Sequence, residues 1–382
     1  MNVDILLKGG LVVDPANGIY EKKDIAIKAG KIVSTTNSTK AEQEFDADGF
    51  LVTPGLIDFH THAFKPGGDL GVKADTAFIP QGVTTVVDAG SSGAVTYDNF
   101  YTTSVVGNQT RIYSLINVSR LGMLTLRKHA DLDPANFDVE EMQEVCSRYK
   151  GQILGVKCQQ SKAIVEGLGL TVLEKTVEAA EQLGLPVIVH VTDPPEAMDK
   201  LASILRKGDV LCHCFSGTGH SILGSDGKIL PGIWKARERG VIFDCASGRA
   251  HLSFAVAKAA LSEGFLPDII SSDMSALTLY RYPPIGLPFV FSMLINLGME
   301  LKDVIDRCTV APAKWMGKAD QHGTLSEGAI ADVTVLKFLT NRPTKFVDAG
   351  MNTLVGNNLL VPQLTVFGGK VAYRNVEFNT EA

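Results

Sequence analysis

The rhythm of apolar and polar residues changes twice along this chain. Across residues 1–53 it is strand-like: short apolar or alternating runs at 3–7, 11–13, 24–27 and 31–34, broken by Gly9-Gly10 and Ala29-Gly30. No helical spacing interrupts them. Pro54-Gly55 then marks a turn. Beyond it, apolar runs alternate with helix-length segments. Eight runs can be counted, at 56–62, 84–89, 112–118, 153–158, 186–191, 210–215, 241–245 and 269–273. Amphipathic stretches such as 172–183 and 254–263 lie between them. Eight strand-then-helix units in residues 54–322 predict an α/β fold of the (β/α)8 TIM-type barrel. An open doubly wound sheet is the alternative, but no Gly-x-Gly-x-x-Gly follows the first run. From Gly323 onward strand signals return, at 333–336, 359–367 and 370–373. The two β-rich ends, 1–53 and 323–382, are expected to pair into one small composite β-sandwich beside the barrel.

Composition narrows the reading. The chain has 382 residues, 45% of them hydrophobic and 20% charged, which allows a large buried core. A net charge of −6 and a pI near 5.8 give no reason to expect nucleic acid or an anionic membrane as partner. No apolar run is long enough to span a bilayer, and the first residues carry an acid where a signal peptide needs positive charge, so a cytoplasmic location is expected. Six scattered cysteines read as buried thiols in a reducing compartment. Cys212 and Cys214 bracket His213, but strand alternation places both on the face opposite the imidazole, so thiolate ligation of a metal is not expected.

The chemistry lies at the ends of the runs. His60 and His62 close the first, Lys157 stands at the end of the fourth, His190 closes the fifth, His213 lies in the sixth and Asp273 closes the eighth. Taken singly, each has an ordinary reading: a core histidine, an ion-pair lysine, a helix N-cap. In a barrel, however, the C-terminal strand ends surround one pocket, so all six groups converge. Neutral imidazole and carboxylate are good ligands for a divalent ion. An ammonium beside two dications is repelled, whereas a lysine that has taken up carbon dioxide is an anionic carbamate with two oxygens. Lys157 in that form can bridge two ions. His60, His62 and Asp273 would hold the more buried ion, and His190 with His213 the more open one. Two divalent ions, zinc being the expected pair, share a bridging hydroxide that attacks an amide or ester, with Asp273 moving the proton.

Pro54-Gly55-Leu56-Ile57-Asp58-x-His60-x-His62, the lysine, the later histidines, Asp273 and Gly328-x-x-Ala331-Asp332 resemble the amidohydrolase superfamily nearly end to end. The segments 82–90, 117–119 and 209–217 are similar to its dihydroorotase-like branch of amidohydrolases and deacetylases. The resemblance implies a binuclear centre on a TIM-type barrel, a small-molecule substrate that loses an acyl group, and a homo-oligomer. After the seventh run that branch often carries His-Gly. Here Ser247-Gly248-Arg249-Ala250-His251 stands instead. Arg249 is the candidate for pairing a substrate carboxylate. Residues 277–284, rich in aromatics and proline, suit a stiff loop over the pocket. Three other readings remain open: a ring-opening cyclic amidase of the dihydroorotase or hydantoinase type, a one-zinc deaminase, and an inactive scaffold on the same fold. Competent side chains at all six ligand positions argue against the scaffold.

Overall fold

A computed structural model describes residues 2–36, 38–124, 131–280 and 285–379. Five strands open the chain: β1 (Asn2–Asp14), β2 (Ile19–Lys28), β3 (Lys31–Val33), β4 (Lys40–Asp46) and β5 (Leu51–Pro54). The next seven are β6 (Leu56–Thr61), β7 (Val83–Asp88), β8 (Arg111–Asn117), β9 (Ile153–Gln159), β10 (Val187–His190), β11 (Val210–Cys212) and β12 (Ile242–Asp244). Five more close it: β13 (Val333–Leu339), β14 (Thr344–Val347), β15 (Thr353–Gly356), β16 (Leu359–Phe367) and β17 (Lys370–Arg374).

Strands β6 to β12 form a curled parallel sheet in chain order, as helical crossovers require. The eighth apolar run, 269–273, is not a full strand. It joins both sheet edges through single bridges, Asp244 to Ile269 on one side and Thr61 to Met274 on the other. Ser247 N also donates to Ser271 O at 3.1 Å and His62 N to Met274 O at 2.8 Å. The interior holds Ile57, Phe59, Leu115, Ile188, Val210 and Cys212, with Met316 and Trp315 packed against them. A second, larger apolar layer lies between the sheet and its helices, among them Thr171–Leu183 and Phe254–Ser262. No helix among the described residues is long and apolar enough to cross a membrane.

The two chain ends meet, as the sequence predicts, in one hydrogen-bonded set of eight strands. Its strand order is β17-β16-β13-β5-β1-β2-β3, with β4 also on β1. The register of β1 against β2 shifts between Leu7 and Gly10. Before the shift β1 pairs with β4, and beyond it with β5. That fork lets one strand serve two neighbours. Ile5, Val12, Ile27, Val333, Leu364, Val366 and Phe378 from both ends share one core. The sheet docks at the N-terminal ends of the barrel strands. Arg111 Nη1 donates to Asp332 Oδ2 at 2.7 Å, Gly368 N donates to Asp332 Oδ1 at 2.8 Å, and the Thr334 hydroxyl donates to Gly82 O at 2.6 Å.

Candidate metal centre

At the opposite, C-terminal ends of the strands, the side chains singled out in the sequence come together. His60 and His62 arrive from β6. A register shift against β7 between Asp58 and Thr61 inserts an extra residue there, and the two ring centroids end 5.9 Å apart. Lys157, on β9, is 1% exposed, and its Nζ lies 3.2 Å from His60 Nε2. His190 closes β10, and its Nδ1 faces His213 Nε2 at 2.8 Å. His62 Nε2 lies 3.4 Å and His60 Nε2 3.8 Å from Asp273 Oδ1. All six therefore share one site.

The backbone is bent to achieve this. His213, Ala246 and Asp273 have φ of 61°, 35° and 52°, in or near the left-handed region that side chains other than glycine seldom occupy. The His213 bend explains a departure from the expected strand pattern. β11 ends at Cys212, and alternation ends with it. Cys212 lies in the interior cluster and Cys214 in the outer layer, so the two cysteines do not share a face. Cys212 does stand near His60 and Asp244, yet burial pushes its thiol well above the ordinary range, which disfavours the thiolate. Glycine is required at two places. A Cβ on Gly90 would lie 2.5 Å from Lys157 Cβ, and one on Gly248 would lie 2.6 Å from Asp273 Oδ2.

Hydrogen bonds fix which ring nitrogen each histidine presents. His213 Nδ1 donates to Ala246 O at 2.7 Å, leaving Nε2 for the site. The Ser91 hydroxyl donates to Asp88 Oδ2 at 2.8 Å, so it accepts from His62 Nδ1 at 3.0 Å and again leaves Nε2. Asp244 Oδ2, 3.5 Å from His60 Nδ1, orients the third ring. Carboxylates behind ligating imidazoles raise their basicity and hold their orientation. Burial holds His60, His190 and His213 well below the usual imidazole range, so their ring lone pairs are available. Burial pushes the other way on Asp273. It is outweighed by hydrogen bonds from His251 and His62 and by nearby imidazole charge, and the carboxyl sits well below its usual range. Asp244, buried and bonded to Ser271, is pushed up to about 7 by burial.

Apart from the His60, Cys212 and Asp244 group, two sets of donors fit a metal ion among the described residues. Single donor atoms of His60, His62 and Asp273 lie within 4.8 Å of one another, as do those of His190, His213 and His251. Neutral imidazole nitrogens facing a carboxylate suit divalent zinc, and also manganese, iron or cobalt. His251 has no assigned role in the sequence reading. Its Nδ1 lies 2.8 Å from Thr192 Oγ1 and its Nε2 3.3 Å from Asp273 Oδ2. The β14–β15 hairpin braces its loop: Ala349 N donates to Leu252 O, and Phe254 N to Asp348 Oδ2, both at 2.9 Å. Asp88 and Asp244 were also missed, although each stands one residue before the end of its apolar run and closes its strand, β7 or β12. Arg249 stands at the mouth. Its Nε donates to Leu277 O at 2.9 Å and its Nη2 to Thr278 O at 3.3 Å, so it ties its loop to the short helix Ala276–Leu279. Of the expected loop at 277–284, residues 281–284 lie outside the described residues.

Known proteins match this arrangement. A deacetylase of Enterococcus faecalis (strain ATCC 700802 / V583) is 31% identical over 377 residues, spanning 97% of this chain and 99% of that protein. A crystal structure of an adenine deaminase superposes with a TM-score of 0.89 at 29% identity, covering 98% of this chain and all, 100%, of that one. A crystal structure of a dihydroorotase gives 0.88 at 28% identity, covering 99% of each chain. The model of the amidohydrolase family matches residues 51–372. With five of its eight histidines gathered at one rim beside Asp273, the chain belongs to the amidohydrolase family of metal-dependent hydrolases.

Proposed function

We propose that this protein is a binuclear hydrolase that removes the acyl group, by amide or ester cleavage, from a small acylated acid. The observation that carries the reading is the meeting of His60, His62, Lys157, His190, His213 and Asp273 at one set of strand ends. In this reading the eighth run completes a (β/α)8 barrel over 54–322, with 1–53 and 323–382 as the flanking β domain. His60, His62 and Asp273 would hold one ion, and His190 and His213 the other. Lys157 would join them as a carbamate, formed when its amine adds to the carbon of carbon dioxide and releases one proton. When bound, two divalent ions, zinc being the expected pair, supply Lewis acidity that activates water and polarises the scissile carbonyl.

The chain's own residues do the rest. Asp273, its carboxyl held well below its usual range by the imidazoles around it, takes a proton from the attacking water and returns it to the leaving group. Asp88, through Ser91, and Asp244 hold the β6 imidazoles so that no side-chain motion precedes reaction. Arg249, at the mouth, pairs the substrate carboxylate. The substrate is a small molecule, and a homo-oligomer is proposed.

Likeness to the Enterococcus faecalis deacetylase supports acyl removal. Likeness to a dihydroorotase supports a second reading, opening of a cyclic amide. The zinc-loaded protein should be assayed on N-acetyl amino acids, O-acetyl hydroxy acids, dihydroorotate, hydantoin and adenine. Turnover confined to acetylated acids supports the first reading. Turnover confined to the cyclic amides establishes the second, and ammonia release from adenine would contradict both.

A further inference from the structure

The two oxygens of Asp273 have matching surroundings. Oδ1 faces His62 Nε2 at 3.4 Å, and the Nδ1 of that ring is held by the Ser91 hydroxyl at 3.0 Å. Oδ2 faces His251 Nε2 at 3.3 Å, and the Nδ1 of that ring is held by the Thr192 hydroxyl at 2.8 Å. Each pair thus consists of an imidazole whose Nδ1 is occupied by a hydroxyl and whose Nε2 looks at a carboxylate oxygen.

His251 also belongs with the second pair of imidazoles. Donor atoms of His190, His213 and His251 fall within 4.8 Å of one another. The His251 ring centroid lies 4.0 Å from that of His213 and 5.1 Å from that of His190. His251 is partly buried, at 17% side-chain exposure, so it borders the open side of the pocket rather than the protein interior. Its position is set from two sides. Gly248 leaves the room, since a Cβ there would lie 2.6 Å from His251 Cδ2, and the β14–β15 hairpin pins the backbone that follows.

From this geometry we infer that His251 is a further ligand of the more open ion, through Nε2, beside His190 and His213. The inference rests on the binuclear reading above. It makes the two positions chemically unequal. The buried position is supplied by two imidazoles and a carboxylate, and the open one is rich in nitrogen, which favours zinc or cobalt over magnesium or manganese.

The test uses full-length protein stripped by a chelator, then titrated with Zn2+ and separately with Co2+ in the presence of bicarbonate. Ions bound are measured by calorimetry and elemental analysis, and the Co2+ site by its visible absorption. Wild type should bind two ions. His251→Ala should keep one at wild-type affinity and bind the second at least tenfold more weakly, with a changed Co2+ spectrum for the second equivalent only. Thr192→Val, which frees Nδ1, should give a smaller change of the same kind. Two ions at unchanged affinity with an unchanged spectrum in His251→Ala would overturn the inference and leave His251 as a hydrogen-bond donor to Asp273. Should His251→Ala not fold, His251→Gln fills the volume without a ring and carries the same comparison. A wild type that binds one ion sinks the binuclear reading instead. In that case, loss of the ion in His251→Ala supports ligation by His251 and its retention overturns it.

Discussion

The two ends of the parallel sheet bury polar groups in opposite ways. At the N-terminal ends, donors face acceptors around Asp332, although buried His322 Nδ1, 4.0 Å from Asp332 Oδ2, has no hydrogen-bond partner. Asp332 accepts from Arg111 and from Gly368 N, while Thr334 and Thr365 hydroxyls donate to Gly82 O and Ile79 O. The Arg111 guanidinium also lies 4.9 Å from the centre of the Phe367 ring. The residues with positive φ in these bonds, Gly82 and Gly368, are glycines. At the C-terminal ends, imidazoles face imidazoles, an amine faces an imidazole, and three residues other than glycine carry positive φ. Such an arrangement is costly by itself. It is sustained by the scaffold and becomes favourable when cations enter. One end holds the molecule together and the other is kept ready for chemistry.

That contrast can be broken most severely at the rim. His60→Ala, Lys157→Ala or Asp273→Asn should each lower kcat/KM by a factor of about 1000 or more, about 4 kcal/mol of transition-state stabilisation, with the circular dichroism spectrum retained. At the other end, Asp332→Ala leaves Arg111 and Gly368 N without their acceptor. It should cost about 3 kcal/mol in urea denaturation while the number of metal ions bound stays the same. Removing metal with a chelator should lower the thermal midpoint. An ion present at one hundred times its dissociation constant contributes about 2.7 kcal/mol per site, so the shift must depend on ion concentration. Ser91→Ala and Asp244→Asn, which disturb the groups that orient the β6 imidazoles, should weaken metal binding about 10- to 100-fold by competition titration. The smallest change is expected for Arg249→Ala, a rise of about tenfold in KM for acidic substrates with kcat unchanged, because two backbone carbonyls already engage that guanidinium. An unchanged KM would assign Arg249 to the loop alone.

Much of this was legible in the sequence because it follows from period and position. Apolar runs mark strands, and titratable residues at run ends mark one pocket once the runs are parallel. The six proposed ligands were picked out in that way. Departures arose where local geometry breaks the period. A left-handed His213 ends β11 early and separates Cys212 from Cys214. The eighth run carries the expected Asp273 but joins the sheet through single bridges. Forking of β1 at Gly9-Gly10 lets that strand pair with both β4 and β5, which no alternation pattern encodes. His251 escaped notice because it lies beyond its strand, in a loop whose path is set by a distant hairpin. Contacts of that kind depend on tertiary packing and leave no spacing signal.

The central claim is that Lys157, as a carbamate, stands between two ions. Crystals grown with zinc and bicarbonate, measured at the zinc absorption edge, test it directly. The account predicts two anomalous peaks, one beside His60 and His62 and one beside His190 and His213, with added density on Lys157 Nζ reaching both. A single peak, or two peaks flanking an unmodified lysine, would contradict it.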